Sequence, residues 1–238
     1  MDRMTAASPA LTLPDALHEP PAAVRVRGTI ALVAGAGEAA PVYARFGRRL
    51  SADGYAVGVF ELHRSADAAG WLAEREQTPR VLAGSDRGAA AALALAAEGS
   101  AVLDGVLIAG LPVGADDARA EASQRTACPV HLGVLAQADA GAVSAPVPEA
   151  DVPDAAALAS VAVPVLAVHG GADPLSPLTS ARAVLAALPA LELVETVGGL
   201  HDAFNDQSHR SVAATVVLWL ERLRAGDIAR SIVRAVAR

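Results

Sequence analysis

Three side chains that could form a nucleophile, an acid and a base stand at separate turns of the sequence. The first is Asp86, the central residue of the segment Gly84-Ser85-Asp86-Arg87-Gly88, which lies between an apolar run and an alanine-rich run. Asp173 and His201 follow in that order along the chain. Two carboxylates and an imidazole can together carry out nucleophilic catalysis or proton transfer.

The segment around Asp86 predicts a sharp turn between a strand and a helix. Such a turn lifts its central residue clear of the sheet, and its flanking residues must be small because a side chain there would clash with neighbouring backbone. A frame centred on Ser85 would place Arg87 where a small residue is required. Asp86 is therefore the predicted central residue, at a position that is serine in the pattern G-x-S-x-G.

Asp173 and His201 each follow an apolar run that predicts a strand, over 163–170 and 191–196. Side chains just beyond the carboxyl ends of parallel strands face the crevice in which such folds bind ligands. Asp173 could equally be the cap of a helix that is predicted to begin near Ser176. The sequence leaves both interpretations of Asp173 open.

A glycine-rich turn follows the first buried strand, and it has two interpretations. The segment Gly35-Ala36-Gly37-Glu38-Ala39-Ala40 fits a dinucleotide fingerprint, and Glu61 stands where a ribose-binding acid would. Pro41, in the helix that should hold the pyrophosphate, and the second turn at Asp86 count against this. The alternative is an oxyanion loop, whose backbone N–H groups stabilise negative charge that develops in a reaction.

Short apolar strands alternate with helices, which predicts a parallel sheet covered on both faces. Prolines make residues 1–23 an irregular lead-in, and a single domain is expected over 24–238, with an edge strand at 24–27. The alternation fails over about 111–162, a segment too poor in large apolar residues to form a core, which predicts an inserted lid. The chain is expected to end in a helix over 208–223 that continues as a helical tail.

The composition of the 238 residues excludes several functions. All nineteen cationic side chains are arginine, which removes Schiff-base chemistry, P-loop phosphate binding and the Tyr/Lys pair of short-chain dehydrogenases. The net charge of −7 argues against nucleic acid as a partner, and the single cysteine excludes an internal disulfide. With no signal-peptide or membrane-spanning pattern, we expect a cytoplasmic protein that acts on a small molecule. A homodimer stays open as its assembly.

Six segments of the chain occur in a characteristic order. They are Ala34–Glu38, Tyr43 with Phe46 and Leu50, Asp53–Tyr55, Gly84–Gly88, His169–Asp173, and Leu200–Asp202 with Trp219 and Leu220. In this order they resemble the monoacylglycerol-lipase or lysophospholipase-like branch of the α/β-hydrolase family, over roughly 24–223 apart from the insertion. The resemblance implies an α/β-hydrolase fold, with a mostly parallel sheet, flanking helices and a reduced lid.

The resemblance also implies roles for individual residues. Asp86 takes the nucleophile position, Asp173 that of the triad acid and His201 that of the base, and the backbone N–H groups of Ala36 and Arg87 form the oxyanion hole. The order nucleophile, acid, histidine is that of α/β-hydrolase triads. No cofactor is implied.

The chain departs from the family pattern at two places. Aspartate replaces the nucleophilic serine, which resembles haloalkane dehalogenases and epoxide hydrolases, whose carboxylate attacks carbon and forms an alkyl ester. Arg87, however, stands where dehalogenases have a halide-binding tryptophan, and the insertion has none of the tyrosines that polarise an epoxide. The oxyanion loop opens with Ala34-Gly35 rather than His-Gly, so a side chain that orders the loop is missing.

These observations favour a hydrolase that acts on a small, largely apolar substrate through Asp86. The alternatives are non-hydrolytic acid/base catalysis, such as a lyase, decarboxylase or rearrangement, esterase-like activity, and an inactive binding protein. A nicotinamide-dependent oxidoreductase is a more remote alternative.

Four further residues are candidate substrate contacts, since arginine can bind a carboxylate and histidine can polarise a carbonyl. They are Ser85, Arg125, Cys128 and His131. Cys128 and His131 have no further cysteine or histidine close by in sequence, so no metal site is predicted.

Overall fold

The computed structural model describes residues 13–99, 101–113, 121–139 and 152–233. In these residues a seven-stranded sheet forms the centre of the molecule. Most strands are aliphatic and β-branched runs, which suit strands covered on both faces. The strands are β1 (Ala16–His18), β2 (Gly28–Val33), β3 (Tyr55–Phe60), β4 (Arg80–Ser85), β5 (Gly105–Ala109), β6 (Val165–Gly170) and β7 (Leu191–Thr196).

The strands lie in the order β1-β3-β2-β4-β5-β6-β7, and all pairs except β1 with β3 are parallel. β4 pairs with β2 on the side away from β3, so the order reverses between β2 and β4. Ligands bind at such a reversal, outside the carboxyl ends of the strands. The order differs from that of the dinucleotide fold, in which the first three strands follow one another in one direction.

The edge strand is not where the sequence pattern places it. Residues 24–27 form no strand, whereas Ala16–His18, inside the expected lead-in, pairs antiparallel with β3. Prolines flank this three-residue strand at Pro14 and Pro20. Proline is tolerated beside an edge strand because that strand has one neighbour to bond.

Helices cover both faces of the sheet. On one face, the helices over 44–52 and 209–224 enclose a core that includes Phe46 and Trp219. On the other face, the helices over 65–73, 87–97 and 178–185 enclose a second core that includes Trp71, Leu93 and Leu185. The helices are α1 (Ala44–Ala52), α2 (Ser65–Ala73), α3 (Arg87–Ala97), α4 (Ala122–Arg125), α5 (Pro129–Asp139), α6 (Ala155–Ala159), α7 (Leu178–Leu185) and α8 (His209–Arg224).

The insertion between β5 and β6 contains the short helices α4, α5 and α6. Its segments 114–120 and 140–151 lie outside the described residues. The start of the described lid is fastened to the loop that carries His201. Asp206 accepts hydrogen bonds from Thr126 Oγ1 (2.9 Å) and the Ala127 amide (2.8 Å), and the Asp202 amide donates to the Arg125 carbonyl (2.9 Å).

The end of the chain differs from expectation. α8 stops at Arg224, and residues 225–233 form turns rather than a helical tail. The rest of the expected tail, 234–238, lies outside the described residues. In the part of the chain that the structure describes, no helix combines the length and the apolar character needed to cross a bilayer.

Candidate active site

Asp86 occupies a strained turn between β4 and α3, as the sequence predicts. Its φ is +53° and its ψ is −126°, and it is the one non-glycine residue with positive φ among those described. Such a conformation costs on the order of 1–3 kcal/mol and is retained mainly at functional sites. The flanking glycines are required, because a Cβ on Gly84 would lie 2.0 Å from the Gly88 carbonyl oxygen and one on Gly88 would lie 2.3 Å from that of Val33.

The structure brings Asp86, His201 and Asp173 together at the carboxyl ends of β4 and β6. His201 Nε2 lies 3.5 Å from Asp86 Oδ1, and His201 Nδ1 lies 2.8 Å from Asp173 Oδ2. All three residues are buried. The arrangement is that of a catalytic triad with a carboxylate in the nucleophile position, and the catalytic role of each residue stays a prediction.

Asp173 faces the imidazole and does not cap a helix. Its Oδ1 accepts hydrogen bonds from the amides of Leu175 (2.9 Å) and Ser176 (3.0 Å), whereas α7 begins only at Leu178. Its Oδ2 lies 3.3 Å from His169 Nε2 as well as next to His201. Burial acts to raise the pKa of Asp173, but the hydrogen bonds from His169 and His201 outweigh it and hold the pKa well below its usual range.

The two carboxylates also set the charge of His201. Burial acts to lower the pKa of the imidazole, but hydrogen bonds to Asp173 and Asp86 outweigh it and raise the pKa to about 10. His201 is therefore an imidazolium at neutral pH. It can act as an acid while it carries this proton, and it can act as a base once it has given the proton up.

The predicted oxyanion loop contacts Asp86 directly. The Ala36 amide donates a hydrogen bond of 3.0 Å to Asp86 Oδ2, the oxygen that does not face His201. Arg87 is the first residue of α3, and the first amides of a helix point out of its N-terminal end. The Arg87 amide therefore stays the predicted second donor.

Arg125 reaches the site from the lid, as one of the predicted substrate contacts. Its Nη2 donates to Asp86 Oδ2 (3.3 Å) and to Asp202 Oδ1 (3.0 Å), and it lies 3.6 Å from Glu38 Oε1. One guanidinium nitrogen thus faces three carboxyl groups. Asp202 fixes the side chain further, because its Oδ2 accepts from Arg125 Nε at 3.4 Å.

The other three predicted contacts do not meet Asp86 in any described contact. His131 Nε2 lies 2.8 Å from Asp202 Oδ2, on the far side of Arg125. Cys128 Sγ lies 3.3 Å from Arg45 Nη1, a contact that lowers the pKa of the thiol although burial acts to raise it. Ser85 is buried beside Asp86.

One buried group of residues has donors that suit a metal. The carboxylates of Glu38 and Asp202 and the His131 ring each offer an atom, and these atoms lie within 4.8 Å of one another. The Arg125 guanidinium already bonds Asp202 and pairs with Glu38. A metal ion would have to displace this internal cation, so we interpret the group as an ion-pair network.

Sequence patterns missed four residues around the triad. Glu38 and Tyr43 hold the oxyanion loop, Asp202 holds Arg125, and His169 contacts the triad acid. The position of Glu38 beside the glycine turn could have marked it as a site residue. The position of Asp202 beside His201 could have marked Asp202 in the same way. The contacts of Asp202 with the lid have no local signal, because Arg125 lies 77 positions away.

No protein-family model and no curated protein matches the chain. Solved structures do match, at low sequence identity. The monoacylglycerol lipase of Paleococcus ferrophilus has a TM-score of 0.63 at 15% identity, covering 88% of this chain and 97% of that one. A soluble variant of the monoglyceride lipase of Saccharomyces cerevisiae has a TM-score of 0.68 at 15% identity, covering 87% and 90%.

The protein BpoC of Mycobacterium tuberculosis H37Rv has a TM-score of 0.67 at 16% identity, covering 82% of this chain and 92% of that one. Likeness at such identities is evidence of the fold. Taken with the strand order and the flanking helices, these matches show that the chain has the α/β-hydrolase fold.

Proposed function

We propose that the protein hydrolyses a small, largely apolar substrate through an alkyl ester formed on Asp86. The observation that carries this proposal is the different surroundings of the two Asp86 oxygens. Oδ2 accepts the Ala36 amide and Arg125, whereas Oδ1 faces His201 Nε2 at 3.5 Å. One oxygen is thereby held by donors that suit an oxyanion, and we assign the attack on carbon to the other, which lies next to the imidazole.

In the first step Asp86 Oδ1 forms a bond to an electrophilic sp³ carbon, and the leaving group departs with the pair of electrons of the broken bond. A carboxylate needs no deprotonation to attack. When the leaving group is an epoxide oxygen, the resulting alkoxide takes a proton, for which the His201 imidazolium is the nearby acid. This transfer leaves His201 neutral.

In the second step water attacks the Asp86 carboxyl carbon. Neutral His201 takes the proton of the water, and the negative charge that develops on Oδ2 is stabilised by the Ala36 amide and by Arg125. The C–Oδ1 bond then breaks, the alcohol leaves with the second proton of the water, and the Asp86 carboxylate and the imidazolium are restored. An oxygen leaving group fits this cycle better than a halide, since a halide would leave the His201 proton in place.

A cavity with a mostly apolar wall lies beside the loop that carries Asp173, and none of the three triad residues is part of its wall. It has a volume of about 430 Å³ and includes Val113, Leu158 and Val184 in its wall. The Val113 amide donates to Ser176 Oγ at 3.2 Å, and the Ser176 amide donates to Asp173. The cavity therefore lies next to the loop of the triad acid.

The proposal is tested by trapping the ester. His201→Gln removes the base of the second step and the acid of the first, so in this variant the alkoxide takes its proton from solvent water and the ester forms slowly but is not hydrolysed. Prolonged incubation with an aryl epoxide should therefore give an enzyme whose mass increases by that of the substrate. Trypsin should place the added mass on residues 81–87, where Asp86 is the one side-chain carboxylate. His63→Gln, at an exposed histidine, is the matched control and should show turnover without an adduct. An unmodified His201→Gln enzyme, with turnover in the wild type, would contradict the proposal.

A second candidate is a non-hydrolytic acid/base reaction at Asp86 and His201. The raised pKa of His201 favours it, because an imidazolium beside a carboxylate forms an acid/base pair. It predicts that Asp86→Asn abolishes turnover and that no variant accumulates an adduct.

An inactive binding protein would instead bind ligand without turnover, and His201→Ala would leave its ligand affinity unchanged. Esterase-like activity would appear as turnover of aryl esters by the wild type.

The remaining expectations are part of the same proposal. We propose a cytoplasmic enzyme that works on a small molecule without a cofactor and without nucleic acid or membrane as a partner. Size-exclusion chromatography with light scattering would test the homodimer.

A further inference from the structure

The side chains of Glu38 and Tyr43 hold the oxyanion loop, a role that the sequence pattern does not predict. The Gly35 amide donates to Glu38 Oε2 at 3.1 Å and to the Tyr43 hydroxyl oxygen at 3.0 Å. The Tyr43 hydroxyl in turn donates to Glu38 Oε2. The Glu38 amide donates to the Gly35 carbonyl at 3.2 Å, which closes the turn. The Glu38 and Tyr43 side chains thus hold the Gly35 amide, and the Glu38 backbone amide holds the Gly35 carbonyl.

The Gly35 carbonyl belongs to the same peptide group as the Ala36 amide, and this amide contacts Asp86. The Ala36 amide follows Gly35 directly and donates to Asp86 Oδ2 at 3.0 Å. Gly35 packs closely between the two carboxyl groups, since a Cβ at this position would lie 2.6 Å from Glu38 Oε2 and 3.1 Å from Asp86 Oδ2. The orientation of the peptide group between Gly35 and Ala36 therefore determines the direction in which the Ala36 amide points.

From these contacts we infer that Glu38 and Tyr43 are positioning residues, which hold the Ala36 amide on Asp86 Oδ2. They take the place of the side chain that the opening Ala34-Gly35 lacks. The catalytic consequence rests on the proposed function, whereas the placement of the loop can be measured without a substrate.

Glu38 is a buried carboxyl group that accepts hydrogen bonds, rather than a charge exposed to solvent. Its side chain is 4% exposed. Burial and the neighbouring Asp202 carboxylate raise the pKa of Glu38, although Arg125 and Tyr43 act in the opposite direction. A protonated carboxyl group and a glutamine amide both keep an oxygen that accepts hydrogen bonds. Glu38→Gln should therefore preserve the loop, and Glu38→Ala should not.

The chain offers a matched control at the other end of the sheet. Tyr55, at the first residue of β3, is as fully buried as Tyr43 and likewise donates its hydroxyl proton to a glutamate, Glu221. Tyr43→Phe and Tyr55→Phe remove the same atom from the same kind of pair. Both changes cost stability, but they differ in their distance from the oxyanion loop.

The test is amide hydrogen exchange of Gly35 and Ala36, followed by NMR. We expect Glu38→Ala and Tyr43→Phe to speed the exchange of both amides by about tenfold or more, and Tyr55→Phe and Glu38→Gln to change it by less than about threefold. If Tyr43→Phe and Tyr55→Phe changed the exchange of these amides equally, Tyr43 would only stabilise the fold and would not position the loop. Unchanged exchange in Glu38→Ala would overturn the inference. Tyr43→Phe keeps the test available if Glu38→Ala fails to fold.

Kinetics with an epoxide substrate then separate this inference from the proposed function. If the proposed function holds, Glu38→Ala should lower kcat while KM changes little, and Glu38→Gln should restore kcat. If no epoxide is turned over, the proposed function fails while the exchange experiment still decides the role of Glu38 and Tyr43. A Glu38→Ala enzyme with normal kcat and fast Ala36 exchange would contradict the catalytic consequence alone.

Discussion

Asp86→Asn should lower the pKa of His201, because it removes one of the two carboxylates that hold the imidazolium. The atoms concerned are 3.5 Å apart, whereas Asp173 Oδ2 lies at 2.8 Å from the other ring nitrogen. Unit charges at this distance interact by roughly 1 kcal/mol in water and by about 5 kcal/mol at an effective dielectric constant of about 20. One pKa unit corresponds to about 1.4 kcal/mol, so the pKa of His201 should fall by between about one and about three and a half units.

The lower end of this range is the better expectation. Asp86 shares its charge with Arg125 and with the Ala36 amide, which reduces its pull on the imidazolium. Asp173→Asn should lower the pKa of His201 further, since Asp173 is the nearer partner and the larger of the raising influences.

The pKa of His201 can be measured by following the imidazole nitrogens by NMR between pH 5 and pH 11 in the wild type and in each variant. Asp67→Asn, at a surface aspartate that pairs with Arg64, is the matched control and should leave the titration of His201 unchanged. The reasoning is refuted if Asp86→Asn leaves the pKa of His201 at its wild-type value while Asp173→Asn lowers it. That result would mean that Asp86 and His201 do not form a pair in solution.

Three further predictions concern stability and reactivity. The pKa of His201 is about 10 in the folded protein and 6.5 when unperturbed, so its protonation stabilises the fold fully below pH 6.5, and this stabilisation is lost as the pH rises to about 10. Urea unfolding across this range should show a smaller loss of stability in His201→Gln than in the wild type. Gly84→Ala should destabilise the fold by more than about 3 kcal/mol, because its Cβ would overlap the backbone, whereas Gly70→Ala, in a helix with open space, should be neutral or stabilising in the same urea titration. Asp86→Ser should gain activity on aryl esters, measured as release of nitrophenolate, because it restores a serine nucleophile; a variant that folds and shows no gain would count against a working His201 and Asp173.

The central part of the site was predictable because its signals are local. The glycines around Asp86 are dictated by steric contact within one turn, and the order Asp86, Asp173, His201 places each residue after a separate parallel strand. The strands themselves follow from apolar runs that must be buried on both faces. The sheet order and the backbone strain at Asp86 agree with these patterns.

The rest of the site depends on contacts between distant segments. Arg125 meets Asp86, Asp202 and Glu38 because the lid crosses over the sheet, and no spacing in the sequence encodes that crossing. β1 was missed for a similar reason, since three residues between prolines become a strand through their pairing with β3. The helical tail was overpredicted, because an apolar and arginine-rich composition suits a helix whether or not a partner surface is present.

The most direct test of the account is a single turnover of an epoxide by wild-type enzyme in ¹⁸O-labelled water, with excess enzyme over substrate. In the proposed reaction water attacks the carboxyl carbon of Asp86, so one labelled oxygen should remain in the enzyme. Trypsin digestion in ordinary water followed by mass spectrometry should find the label in residues 81–87 and in no other peptide, including the one that contains Asp173. Turnover with all of the label in the diol and none in residues 81–87 would contradict the Asp86 ester.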